Sequence, residues 1–115
     1  MYNYESLRKF DPQFLQGFSE KDAERIVLFT TNVDRLSITV VRHQSGRVIA
    51  GLSFFTVQDG AYDQEPDSNF GYFESVKDAV LFFICYALHK NKFSDEANRV
   101  LRRKRDELLN PSLFN

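Results

Sequence analysis

The side chains of this 115-residue chain that could do chemistry fall in separate places. Asp63, Glu65, Asp67, Asn69 and Glu74 stand at positions 1, 3, 5, 7 and 12 of a twelve-residue frame. A hard cation such as calcium collects oxygen ligands at that spacing. The frame fails at Ser68, where such a loop turns on glycine, and at Pro66, which sits between ligands. A solvated acidic loop is therefore expected, with no metal and no cofactor. His43 and Arg47 flank a hairpin loop, where an imidazole could serve as general base or the pair could hold an anion. Cys85 could act as a nucleophile if it were partly exposed in an electropositive setting. It lies in the apolar run Ala79–Leu88, so a small core residue is the expectation. With His89 far from His43 and no G-x-S-x-G sequence, no catalytic constellation assembles. The glycines, at 17, 46, 51, 60 and 71, make no phosphate loop.

The densest functional signal is basic. Arg99 and the run Arg102, Arg103, Lys104 and Arg105 follow closely on Lys90 and Lys92. On a helix these cations fan across the face opposite Ala97, Val100, Leu101 and Leu108, and could neutralise phosphates. Part of that charge is answered within the helix, because Asp95–Arg99, Arg102–Asp106 and Arg103–Glu107 stand at i,i+4. The second signal is aromatic: twelve Phe and five Tyr, with no Trp. So many rings exceed what a small core absorbs, which points to a partner surface or a self-interface. Phe55, on the polar side of a hairpin, and Tyr62, in a loop, are the expected exposed anchors.

Composition limits the choices. Fifteen Lys+Arg against sixteen Asp+Glu leave a net charge of −1, which excludes attachment to nucleic acid or membrane by bulk charge. The charge is unevenly placed: residues 1–85 hold eight Lys/Arg and twelve Asp/Glu, residues 86–115 seven and four. A single cysteine excludes an intramolecular disulfide and a cysteine-built zinc site. No apolar run approaches the roughly 20 residues that span a bilayer. Met1–Glu5 has no signal-peptide pattern, so a cytoplasmic protein of one domain, 1–115, is expected.

The elements that would position these residues are those of an α+β fold. Leu36, Ile38 and Val40 alternate with polar residues, and Val48 to Phe55 follow after Gln44-Ser45-Gly46. A three-residue loop pairs residues whose numbers sum to 90, which sorts Leu36, Ile38, Val40, Ala50, Leu52 and Phe54 onto one face. It also puts Gly46 where the loop needs a left-handed residue. The hairpin 35–57 is thus expected, with a third short strand near 69–73 and an acidic loop over 58–68. Ser75 should cap an apolar helix over 75–89, and Ser94 a basic amphipathic helix over 94–109. Before the hairpin, Ser19–Asp22 reads as a helix start and Arg25–Thr31 as a strand, giving a short helix that passes into a strand. Leu7, Phe10 and Phe14 suggest an N-terminal helical segment that lids the core, interrupted at Pro12 and Gly17.

This layout resembles that of many small accessory proteins of bacteria and their mobile elements. A non-enzymatic interaction module is the leading expectation: an adaptor, inhibitor or regulatory subunit that binds a protein partner or a second copy of itself. Nucleic-acid binding through the basic helix is the first alternative, and a small enzyme using His43 or Cys85 the second.

Overall fold

The computed structural model describes residues 3–10, 23–67 and 70–110. Four strands form one antiparallel sheet in sequence order: β1 (Ala23–Thr30), β2 (Arg35–Arg42), β3 (Val48–Thr56) and β4 (Gly60–Gln64). Two helices follow, α1 (Val76–Lys90) and α2 (Asp95–Leu109), and a 3₁₀ turn at Tyr4–Leu7 precedes the sheet. The α+β architecture read from the sequence is the observed one.

The β2–β3 hairpin has the expected register. Leu36 pairs with Phe54, Ile38 with Leu52, Val40 with Ala50 and Arg42 with Val48. Gly46 takes φ 91°, and its N–H donates to the His43 carbonyl at 3.0 Å. Only one register separates an apolar face from a polar one, so burial of that face fixes the pairing.

The rest of the sheet departs from the sequence reading in informative ways. Residues 23–30 are strand throughout, so the apolar β-branched run prevails there; the helix start at Ser19–Asp22 lies outside the described residues. β1 carries a bulge between Val27 and Phe29. The extra residue sends both Leu28 and Phe29 to the core, where they are buried, while Val27 stays exposed. The fourth strand is not the one expected near 69–73. It is Gly60–Gln64, within the segment read as an acidic loop. Tyr72 and Phe73 instead make single bridges, to Lys9 and Val48. Asp59, Asp63 and Pro66 look like loop formers, but the Asp63 and Ala61 side chains lie on the outer face of an edge strand, where water tolerates them.

The ends of the helices follow their caps. Ser75 Oγ accepts from Asp78 N at 3.1 Å, and Ser94 Oγ from Ala97 N at 3.2 Å. Asn91, at φ 52°, ends α1 in the left-handed conformation. α1 is buried almost all round because it is the central element. Its Phe82, Phe83, Ile84 and Ala87 join Ile38, Val40, Ala50 and Phe73 in one core. The N-terminal turn closes one flank, with the Tyr4 ring 5.4 Å from that of Phe82, and α2 packs on another through Ala97 and Leu101. The Arg8 guanidinium lies over three rings, those of Phe10, Phe70 and Phe82, at 4.6–5.2 Å.

The outer face of the sheet is partly covered by its own chain. Val41, Ile49 and Tyr72 form a second buried cluster there. After β4 the chain crosses Gly51. A side chain at that position would run into the Gln64 carbonyl and come within 2.6 Å of Glu65 C and Pro66 N, so the crossing requires glycine.

Candidate functional site

The helices cover the sheet unevenly. α1 packs on β2 and β3, and α2 on β1. The helix side of β4 is left beside an open cleft. One wall is Leu52 and Phe54 of β3 with Tyr62 of β4; the other is Phe83 and Tyr86 of α1. Phe93 closes one end and Phe70 the other. Two adjoining cavities, of about 160 and 380 Å³, share Leu52, Phe54, Phe83, Tyr86 and Lys92 as lining.

Ring packing fixes its shape. The Tyr62 ring stacks on Phe54 at 5.1 Å and 26°. Phe54 meets the edge of Phe93 at 5.9 Å, and Phe93 meets Phe29 in the core at 4.9 Å. Offset and edge-on rings at these distances hold one another in orientation. The cleft wall is therefore a continuation of the core, and Tyr62, 47% exposed, is its outermost ring. Tyr62 O–H donates to Gln64 Oε1 at 3.3 Å, so its polar end is tied along β4.

The mouth is cationic. Lys90 Nζ lies 5.5 Å from the centre of the Tyr86 ring, and Lys92 pairs with Asp59 at 3.6 Å. Both lysines leave the end of α1, where cations also suit the negative end of the helix dipole.

The basic helix is organised differently from the sequence expectation. Lys104 does not stand on a free cationic face: its ammonium donates to the Leu28 carbonyl at 2.7 Å. Leu28 is the bulged residue of β1, and a bulge frees a backbone group from the ladder. Lys104 thus satisfies a backbone group of the edge strand. Arg103 pairs with Glu107 at 3.3 Å and Arg105 with Asp106 at 3.3 Å. Arg99 and Arg102 are exposed on α2. Phe55 is half-buried on the outer sheet face under the Arg35 guanidinium, 5.5 Å from its ring centre. It is therefore on the opposite face from Tyr62, and the structure does not bring these two expected anchors together.

The other candidates are held by their neighbours. Cys85 is buried, and burial pushes its thiol up from the ordinary value, with Arg105 opposing more weakly. That favours the protonated thiol over the nucleophilic thiolate. His43 Nδ1 lies 2.9 Å from Ser45 Oγ within the hairpin loop. Glu74, at the end of the calcium-like frame, pairs with Arg47 at 3.1 Å, while Asp63 at its start lies in β4. Ser68 and Asn69 lie outside the described residues. Among the described residues no group of three or more His, Cys, Asp or Glu is disposed to hold a metal ion. No helix among them is long and apolar enough to cross a membrane.

Sequence reasoning picked Tyr62 but missed its setting. Phe54 reads as core from its alternation, Phe93 as linker, and Lys90 and Lys92 as outliers of the basic run. The available signal was the apolar circumference of the Phe82–Tyr86 stretch of the helix. No family model matches the chain, and no curated protein or solved structure does either.

Proposed function

We propose that the protein is a non-enzymatic interaction module that receives a protein partner in the cleft between β4 and α1. The observation that carries this reading is the pair of adjoining aromatic cavities, walled by Phe54, Tyr62 and Tyr86, at the margin of the sheet. Tyrosine and phenylalanine side chains lining a depression are the chemistry of interface anchors. A preformed wall also lowers the ordering cost of association. Lys104 lends less support to a phosphate-binding helix because its ammonium is engaged on the Leu28 carbonyl, and Arg103 and Arg105 each share their charge with a carboxylate of the same helix. A thiol held protonated by burial likewise lends little support to an enzyme built on Cys85.

The test compares two surface variants in partner capture and in light scattering of the purified chain. Tyr62→Glu should abolish retention of a partner, or any self-association, while leaving the thermal melt within a few degrees. Arg102→Glu/Arg103→Glu should leave both unchanged. Binding lost only in the arginine variant would move the site to α2, and binding that then fell steeply with salt would make nucleic acid the ligand.

A further inference from the structure

We propose that the occupant of this cleft is an acidic, extended segment of a partner protein. It pairs with the outer edge of β4 and lowers one aromatic or large aliphatic side chain between Tyr62 and Tyr86. This inference rests on the docking role of the cleft and adds the chemistry of what docks.

Charge complementarity selects the sign. The charged side chains lining the two cavities are Lys90, Lys92 and Asp59. Asp59 is already paired with Lys92, at 3.6 Å. Among the described residues no carboxylate lies within 4.0 Å of Lys90, whose ammonium sits over Tyr86. The mouth therefore carries net positive charge, whereas residues 1–85 carry an excess of acid. On the helix side of the sheet an acidic segment meets Lys90 and the Lys92–Asp59 pair, whereas on the outer face of β4 it would meet Asp63, so its carboxylates belong on the helix side.

The sheet selects the shape. Among the described residues β4 is the last strand of the sheet, so its outer edge presents backbone donors and acceptors with no described strand beside them. An added strand would lie about 4.8 Å beyond β4, and every second side chain would face the helix side of the sheet. That is the side on which Tyr62 stacks with Phe54. An apolar side chain on that strand would enter the hollow beside Tyr62, and carboxylates two residues to either side of it, on the same face, would reach Lys90 and Lys92. The rings supply affinity, and the lysines select the partner and speed its encounter.

The full chain tests this with three fluorescein-labelled dodecapeptides read by anisotropy at low salt. The first places Glu two and four residues to either side of a central Phe, with Val at the intervening positions, the second replaces every Glu by Lys, and the third replaces the Phe by Ser. The first peptide should bind at least tenfold more tightly than either of the others. Lys90→Glu/Lys92→Glu should invert the preference toward the lysine peptide. Should that variant fail to fold, Lys90→Gln/Lys92→Gln should abolish the preference without inverting it. Equal affinity for the acidic and basic peptides, or acidic binding that survives loss of both lysines, would overturn the proposal. So would binding of none of the three, or tighter binding of a twelve-nucleotide oligothymidine at the cleft. Amide and aromatic shift mapping separates the two levels. A basic peptide that shifts Tyr62 and Tyr86 leaves the docking cleft standing and removes its acidic preference. Shifts confined to α2 remove both.

Discussion

Removing the Asp34 carboxylate should unfasten α2 from the sheet. Asp34 sits in the β1–β2 turn and is only 5% exposed. Its Oδ2 accepts from the Ser94 backbone N–H at 2.6 Å, and its Oδ1 from Ser94 Oγ at 3.1 Å and from the Thr31 hydroxyl. Ser94 is also the residue whose Oγ caps α2. One carboxylate thus holds the turn, the helix cap and, through the neighbouring Lys92 and Phe93, one end of the cleft. In Asp34→Ala the Ser94 N–H is left without its acceptor in a part-buried site, at about 1–3 kcal/mol. The cap hydroxyl also loses its orienting partner, a share of the ~1 kcal/mol such caps contribute. Together these give about 1–4 kcal/mol, a large part of the roughly 5–15 kcal/mol that holds a domain of this kind folded. Urea unfolding should show the midpoint lowered by about 0.5–2 M with an unchanged slope. The melt should fall by roughly 4–16 °C. Ser94→Ala should cost about 1 kcal/mol, and the double variant less than the sum, because both act through one contact. A loss below about 0.5 kcal/mol in Asp34→Ala would refute the clamp and class Asp34 with ordinary surface residues.

Other expectations follow from the same structure. Lys104→Met keeps the aliphatic stem but strands the Leu28 carbonyl, and should destabilise by about 1–3 kcal/mol in urea titration, whereas Arg102→Met should stay within about 0.5 kcal/mol. Gly51→Ala drives a methyl group into the Gln64–Pro66 backbone, and should lower stability by at least about 1–3 kcal/mol; a neutral result would show that the crossing can lift off the sheet. Burial raises the Cys85 thiol, and burial followed by the Glu5 charge raises the Tyr4 hydroxyl. Both groups hold their protons more tightly folded than unfolded. Their contribution is complete below the ordinary thiol and phenol pKa values and is lost as pH climbs above about 9, so urea midpoints should fall between pH 8 and 10.5. Cys85→Ala should make that fall shallower, and native Cys85 should react with a maleimide far more slowly than the unfolded chain does.

The parts legible in the sequence are those where one physical demand dominates. The β2–β3 register follows from sorting Leu36, Ile38, Val40, Ala50, Leu52 and Phe54 onto one face, and the structure has it pair for pair. Ser75 and Ser94 mark both helix starts because a capping hydroxyl has few other uses there. β4 was illegible because its composition is that of a turn. Its strand character comes from pairing with β3, from Leu52–Gln64 to Thr56–Gly60, and not from its own propensity. Lys104 shows a limit of reading charge on a helix: the carbonyl it serves exists only because β1 bulges at Leu28, seventy-six residues away. The cleft was half legible. The excess of rings foretold uncovered aromatic surface, but Phe54, Tyr62, Tyr86 and Phe93 come from separate elements, and only the offset of the helices toward β1 leaves them open.

Photo-crosslinking in the cell that makes the protein tests the docking role of the cleft most directly, with benzoylphenylalanine placed at position 62, 57 or 102 in turn. Val57 and Arg102 are exposed away from the hollow and serve as references. A discrete adduct from position 62, absent from 57 and 102 and suppressed by Lys90→Glu/Lys92→Glu, is the predicted result. Adducts from position 102 alone, with none from 62, would contradict it and give the interaction to α2.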